Sequence, residues 1–156
     1  FTEPDVVTRP LYDENFVVVL PLNHPWCKQR VIEPEQLADE NLLMLGEGHC
    51  FRDQVLSFCP EIARKYNSRL GNMLEGSSLE TLKHMVSTGL GITVLPELAV
   101  SNLDYNLVTT RPFRAPAPYR TIAIAWRASF PRGKAIDLLI ETASQCRLAN
   151  KKPSDR

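Results

Sequence analysis

Phe16 to Leu20 is an unbroken apolar run, mostly β-branched and closed by Pro21. Such a run predicts a strand covered on both faces. A second apolar run, Leu42 to Leu45, follows a short helical turn expected at Pro34 to Leu37, and Gly46, Glu47 and Gly48 then break the chain. Between the two runs, Asn23-His24-Pro25-Trp26 reads as a turn, because the proline pushes His24 towards extended geometry. Phe51, Val55 and Phe58 stand at four- and three-residue steps and predict a short amphipathic helix over 51–58. Pro60 cannot continue it, biases Cys59 away from helical geometry, and can open a second helix over 61–66.

The clearest helical pattern comes next. Ser77 and Glu80 stand at capping-box spacing, Leu79, Leu82, Met85 and Val86 form one stripe, and Gly89 supplies the stop. Gly91 to Pro96 predicts a buried strand, and Glu97 to Val100 the start of another helix. Leu107 to Thr109 and Thr121 to Trp126 read as strands on either side of a proline-rich stretch, Pro112 to Pro118. Gly133 to Leu148 closes the pattern as a helix with Ile136, Leu139, Ile140 and Ala143 along one side. Strands alternating with helices at this spacing argue for an α/β fold with a mainly parallel sheet. Pro112–Pro118 is the best candidate for a crossing between two lobes.

Composition narrows the function more than the fold. With 156 residues, 44% of them hydrophobic, the chain can bury a core. Its 18 basic and 18 acidic side chains cancel, so there is no long-range field to hold nucleic acid, and this stretch is not expected to bind DNA by itself. The cancellation hides a gradient: residues 1–47 carry nine acids and three bases, residues 111–156 three acids and ten bases. The basic close ends in Lys151 to Arg156, which has the look of a flexible tail. No apolar run nears the ~18 residues of a membrane span, and no signal-peptide layout opens the chain, so a cytoplasmic protein without membrane contact is expected. The first residue, Phe1, suggests a fragment of something longer.

Four cysteines, Cys27, Cys50, Cys59 and Cys146, without an export signal suit reduced thiols better than a disulfide frame. No pair has C-x2-C spacing and the histidines, His24, His49 and His84, are scattered, so no metal and no cofactor is expected. His84, one step off its helix's apolar stripe, reads as a solvated or interface side chain, and Ser77 and Ser78 as caps rather than nucleophiles. The distinctive element is Gly48-His49-Cys50-Phe51-Arg52-Asp53, with Cys59 beyond it. Cysteine reacts as the thiolate, and a helix N-terminus at Cys50, Arg52 two positions on and His49 beside it all favour that form. An inert buried cysteine beside a surface histidine is the plainer reading of such a pair. If residues 50–59 stay helical, nine rises of about 1.5 Å part the two Cα atoms by ~13 Å. A disulfide needs roughly 4.4–6.8 Å. The two could bond only if the segment unwound, which Pro60 and the glycines at 46 and 48 make less costly.

The run Gly48-His49-Cys50-Phe51-Arg52-Asp53-Gln54 with Phe58-Cys59 is similar to a signature of the hydrogen-peroxide-sensing LysR-type transcriptional regulators. Ser78-Leu79-Glu80-Thr81-Leu82, Gly91-Ile92-Thr93, Leu95-Pro96, His24-Pro25-Trp26, Leu42 to Leu45 and Arg120-Thr121-Ile122 extend the resemblance over roughly residues 9–127. It implies a two-lobed, periplasmic-binding-protein-like (type II) α/β regulatory domain, the second lobe complete and the first partial. On that frame 1–13 ends lobe I, 14–117 is lobe II with the redox site, and 118–150 returns to lobe I, with 151–156 as the tail. The family's winged helix-turn-helix is absent from the sequence.

The resemblance also implies roles. Hydrogen peroxide would oxidise Cys50 to a sulfenic acid and Cys59 would resolve it as a disulfide, with His49, Arg52 and Arg120 activating the thiol or the peroxide. Conformational change would then control antioxidant gene transcription through a homodimer, a tetramer in the full-length protein, with DNA bound by the missing domain and RNA polymerase as partner. Cys27 and Cys146 are expected bystanders. A histidine that the family can carry after the resolving cysteine has no counterpart in residues 60–76. Two alternatives stay open: a metabolite-binding domain using Ser78, Thr81 and Gly91 near strand ends, and a thiol peroxidase using the same cysteines.

Overall fold

The computed structural model describes residues 3–68, 74–101 and 104–146. Its strands are β1 (Val6–Pro21), β2 (Leu42–Leu45), β3 (Glu75–Gly76), β4 (Ile92–Pro96), β5 (Val108–Pro112) and β6 (Tyr119–Arg127). Its helices are α1 (Cys50–Phe58), α2 (Pro60–Ser68), α3 (Leu79–Ser87) and α4 (Gly133–Gln145). The turn expected at Pro34 forms as a short 3-10 helix, Pro34–Asp39, whereas the helix expected to start at Glu97 is only a three-residue 3-10 turn, Glu97–Ala99. The chain divides into a unit Asn15–Pro118 and a second unit built from residues up to Glu14 and from Tyr119 onward.

In the Asn15–Pro118 unit the strands lie in the order β3-β2-β4-β1-β5. Met44 of β2 pairs with Glu75 of β3, and Leu42 with Ile92 of β4, both in parallel. β1 runs antiparallel to both its neighbours, Val18 facing Val94 on one side and Arg111 on the other. The sheet is therefore mixed, not mainly parallel. An apolar run reports that a strand is covered on two faces, which is equally true of either direction, so the pattern was blind to this difference.

The core is built where the runs meet. Val18, Val19, Leu20, Leu43 and Leu95 are fully buried across β1, β2 and β4. α1 packs against it through aromatic rings: Phe16 stands edge-on to Phe51 at 5.6 Å and stacks on Phe58 at 5.5 Å between centroids. Such pairs contribute roughly 1 kcal/mol each beyond their buried area. α3 covers the sheet with Leu82 and Val86, and Gly89, at φ +79°, takes the left-handed conformation that ends it. Its N-cap is Ser78, one residue later than the capping-box spacing suggested: the Ser78 hydroxyl accepts the Thr81 N–H at 3.1 Å.

The second unit pairs the first half of β1 with β6. That half, Val6 to Asp13, is largely exposed and lacks an apolar run, so only its continuation had been visible as a strand. α4 stops at Gln145, short of Leu148, and Cys146 is its cap rather than a residue of the helix. The basic tail, residues 151–156, lies outside the described residues. No helix among the described residues is long and apolar enough to cross a membrane.

Candidate functional site

β2 and β3 are parallel neighbours, so the segments leaving their C-terminal ends emerge side by side. From β2 the chain passes through Gly46, Glu47 and Gly48, the last at φ +87°, into α1. His49 is the exposed N-cap, extended and without a side-chain capping bond, and Cys50 is the first helical residue. Cys50 is exposed and Cys59 is buried. Helix α1 holds the two at its opposite ends, so the ~13 Å separation expected from nine helical rises applies.

Cys59 lies in irregular backbone, φ −132° and ψ 84°, between α1 and α2. Its thiol donates to the Pro34 carbonyl oxygen at 3.2 Å. Burial pushes this thiol above its ordinary value of 9.0, opposed by the Ile62 backbone N–H and reinforced by the Glu61 and Glu35 carboxylates. A raised folded value means that the neutral thiol's contribution to stability is whole below about pH 9 and is lost as pH rises. The two cysteines are thus chemically unlike: one open to solvent at a helix N-terminus, the other sealed as a protonated thiol.

Arg52 is buried on α1 and pairs with Glu75 Oε1 at 3.4 Å and Glu47 Oε1 at 3.7 Å. Its charge is thus shared with carboxylates, a setting that the spacing to Cys50 did not reveal. Arg120 belongs to the second unit, where its Nε and Nη2 each reach Glu14 Oε2 at 2.8 Å. Ser78 and Thr81 begin α3, and their hydroxyls lie 3.0 Å apart within the cap. Gly91 does not join them. It sits before the start of β4, at the other end of the parallel strands, where an added Cβ would clash with the Asn41 carbonyl oxygen. Close backbone approach explains that glycine, so the set Ser78, Thr81 and Gly91 does not converge on one cleft.

Cys27 is half-buried, its thiol 3.4 Å from the Pro21 carbonyl oxygen, and Cys146 is exposed beyond α4. Among the described residues no group of three His, Cys, Asp or Glu side chains is placed to hold a metal ion. Sequence reasoning missed Glu75 and Glu47. Glu47 was readable as an acid five positions before Arg52, but Glu75 meets Arg52 only through the pairing of β3 with β2.

Residues 1–146 match the model of the LysR substrate binding domain. The chain belongs to that family. Among LysR-domain relatives, the DNA-binding transcriptional dual regulator OxyR of Escherichia coli K12 is 38% identical over 133 residues, 85% of this chain and 42% of that protein. The chain spans about two fifths of the length of the curated relatives it matches. A reduced form of OxyR from Neisseria meningitidis has the same fold with a TM-score of 0.92 and 41% identity, over 98% of this chain and 71% of that one. The reduced OxyR regulatory domain from Pseudomonas aeruginosa is 50% identical with a TM-score of 0.79, over 94% of this chain and 69% of that one. These solved regulatory domains agree with the expected type II periplasmic-binding-protein-like fold.

Proposed function

We propose that this LysR-type domain is the peroxide-sensing part of a transcription regulator, with Cys50 as the oxidised residue and Cys59 as its resolving partner. The observation that carries the reading is the placement of an exposed cysteine and a buried one at the two ends of α1, with Phe58 and Pro60 flanking the second. In the first step the Cys50 thiolate attacks hydrogen peroxide; the O–O bond breaks, one oxygen stays on sulfur as the sulfenic acid and the other leaves as water once protonated. Cys50 opens α1, and in this reading His49, the residue before it, donates the proton to the leaving oxygen. The Cys59 sulfur then attacks the sulfenic sulfur, the S–S bond forms, the S–O bond breaks and a second water leaves. Two thiols lose two electrons and the peroxide gains them.

Closing ~13 Å to disulfide distance requires α1 to unwind, which couples the chemistry to a change of shape. That change is the signal passed, in the dimeric or tetrameric full-length regulator, to a DNA-binding domain and so to RNA polymerase and antioxidant genes. Arg120 enters this reading through the resemblance, and Arg120→Ala is expected to slow the sulfenic-acid step. After one equivalent of peroxide, peptide mapping by mass spectrometry should find a Cys50–Cys59 linkage, and Cys59→Ser should accumulate sulfenic or over-oxidised Cys50. A linkage from Cys50 to Cys27 or Cys146 would overturn the assignment. A peroxidase would turn over many peroxides when supplied with reductant; one oxidation per regulatory cycle is expected here.

A further inference from the structure

Two features leave helix α1 less secured than its aromatic packing alone would make it. His49 caps it without a side-chain bond, and Gln54 Oε1 is buried with no hydrogen-bond partner among the described residues. Beside it lies a gap of about 10 Å³, lined from the helix by Phe51, Arg52 and Val55 and otherwise by Leu43, Leu82 and Thr93. A buried unsatisfied carbonyl and missing contacts both weaken the helical state.

Beside the packing of Phe51 and Phe58 on Phe16 of β1, an ion pair also ties the helix to the sheet. Arg52, in the first turn of α1, has a side chain only 9% exposed and directs its guanidinium at Glu75 of β3 and at the far more exposed Glu47. The Glu75 carboxylate lies over Gly46, where an added Cβ would come within 3.1 Å of Oε2. β2, β3 and the chain between β2 and α1 therefore meet at this carboxylate.

We propose that Glu75 is a positioning residue for the switch: its ion pair with Arg52 keeps the first turn of α1 helical and so governs how readily oxidised Cys50 reaches Cys59. This rests on the redox reading above. In the closing step, attack by the Cys59 sulfur expels hydroxide from the sulfenic sulfur, and the thiol's proton converts it to water. Cys50 cannot approach Cys59 without drawing Arg52 off Glu75, so the pair opposes closure but not the first oxidation, which needs no unwinding.

The test uses the full-length protein and measures the two steps apart: sulfenic acid formation in a Cys59→Ser background, and disulfide formation with both cysteines present. Glu75→Gln should speed disulfide closure about fivefold while changing the sulfenic-acid rate by less than about twofold, and Glu75→Asp should return closure towards its original rate. Because the pair is partly exposed, added salt should also quicken closure in the unsubstituted protein. Unchanged closure in Glu75→Gln, equal acceleration of both steps, or a closure rate indifferent to salt would overturn the proposal while leaving the disulfide itself intact. If the unsubstituted protein forms no Cys50–Cys59 bond, the redox reading fails and this proposal with it.

Discussion

Helices α1 and α3 are the same length and start from the C-terminal ends of neighbouring parallel strands, yet they are secured in opposite ways. α3 has a hydroxyl cap from Ser78, a left-handed glycine stop, and a buried lysine at its centre. Lys83 reaches Glu80 Oε1 at 2.7 Å, Asp104 Oδ2 at 3.0 Å and the Ala99 carbonyl oxygen at 3.1 Å. α1 has a histidine cap without a bond, an orphaned buried carbonyl, and an arginine shared between a half-exposed and an exposed carboxylate. Neighbouring helices with like strand connections can thus be secured to very different degrees. The difference lies in side-chain partners rather than in length or topology.

The largest effect should come from loosening α3. Asp104→Ala leaves the buried Lys83 ammonium with less compensation and is expected to lower unfolding free energy by roughly 3 kcal/mol, measured by urea denaturation. The Asp104 carboxyl sits below its ordinary 3.8, chiefly because the Ser101 N–H donates to it, against the cost of burial and with help from Lys83. Its contribution is therefore whole above about pH 4 and lost as pH falls through the folded value. For Lys83, burial works against the charge but is outweighed by the Glu80 and Asp104 carboxylates, so its value lies above 10.5 and its contribution is lost only as pH rises past that. Asp104→Ala should flatten stability at both ends of the pH range.

A smaller change should bring α1 closer to α3. Gln54→Leu removes the orphaned carbonyl and is expected to stabilise the reduced protein by about 1 kcal/mol while slowing disulfide closure. A gain in stability without slower closure would separate the helix from the switch. Ser78→Ala, removing the cap that α1 lacks, should cost about 1 kcal/mol and leave peroxide reactivity unchanged. Least of all should come from Glu47→Gln. Its carboxylate is 89% exposed and 3.7 Å from Arg52, so under about 0.5 kcal/mol in stability and little change in closure rate are expected. An effect as large as that of Glu75→Gln would move the tie from the sheet to the loop.

Much of this was legible in the chain itself. Phe16 to Leu20, Leu42 to Leu45 and Ile92 to Pro96 form strands because local apolar runs must be covered. Cys50 opens a helix because Phe51, Val55 and Phe58 share a face, and Pro60 stops that helix where Cys59 begins. Periodicity is a local property, and it sufficed for these elements and for placing the cysteines at opposite ends of α1. What it could not determine depends on residues distant in sequence. The antiparallel course of β1, the burial of Cys59 against Pro34, the separation of Gly91 from Ser78, and the meeting of Arg52 with Glu75 all follow from strand order and pairing. Those are decided by tertiary packing, because a strand's pattern records that it is covered but not by what or in which direction. Local spacing put Cys50 and Cys59 at the two ends of one helix; strand pairing, which joins residues far apart in the chain, brought Glu75 to Arg52 between them.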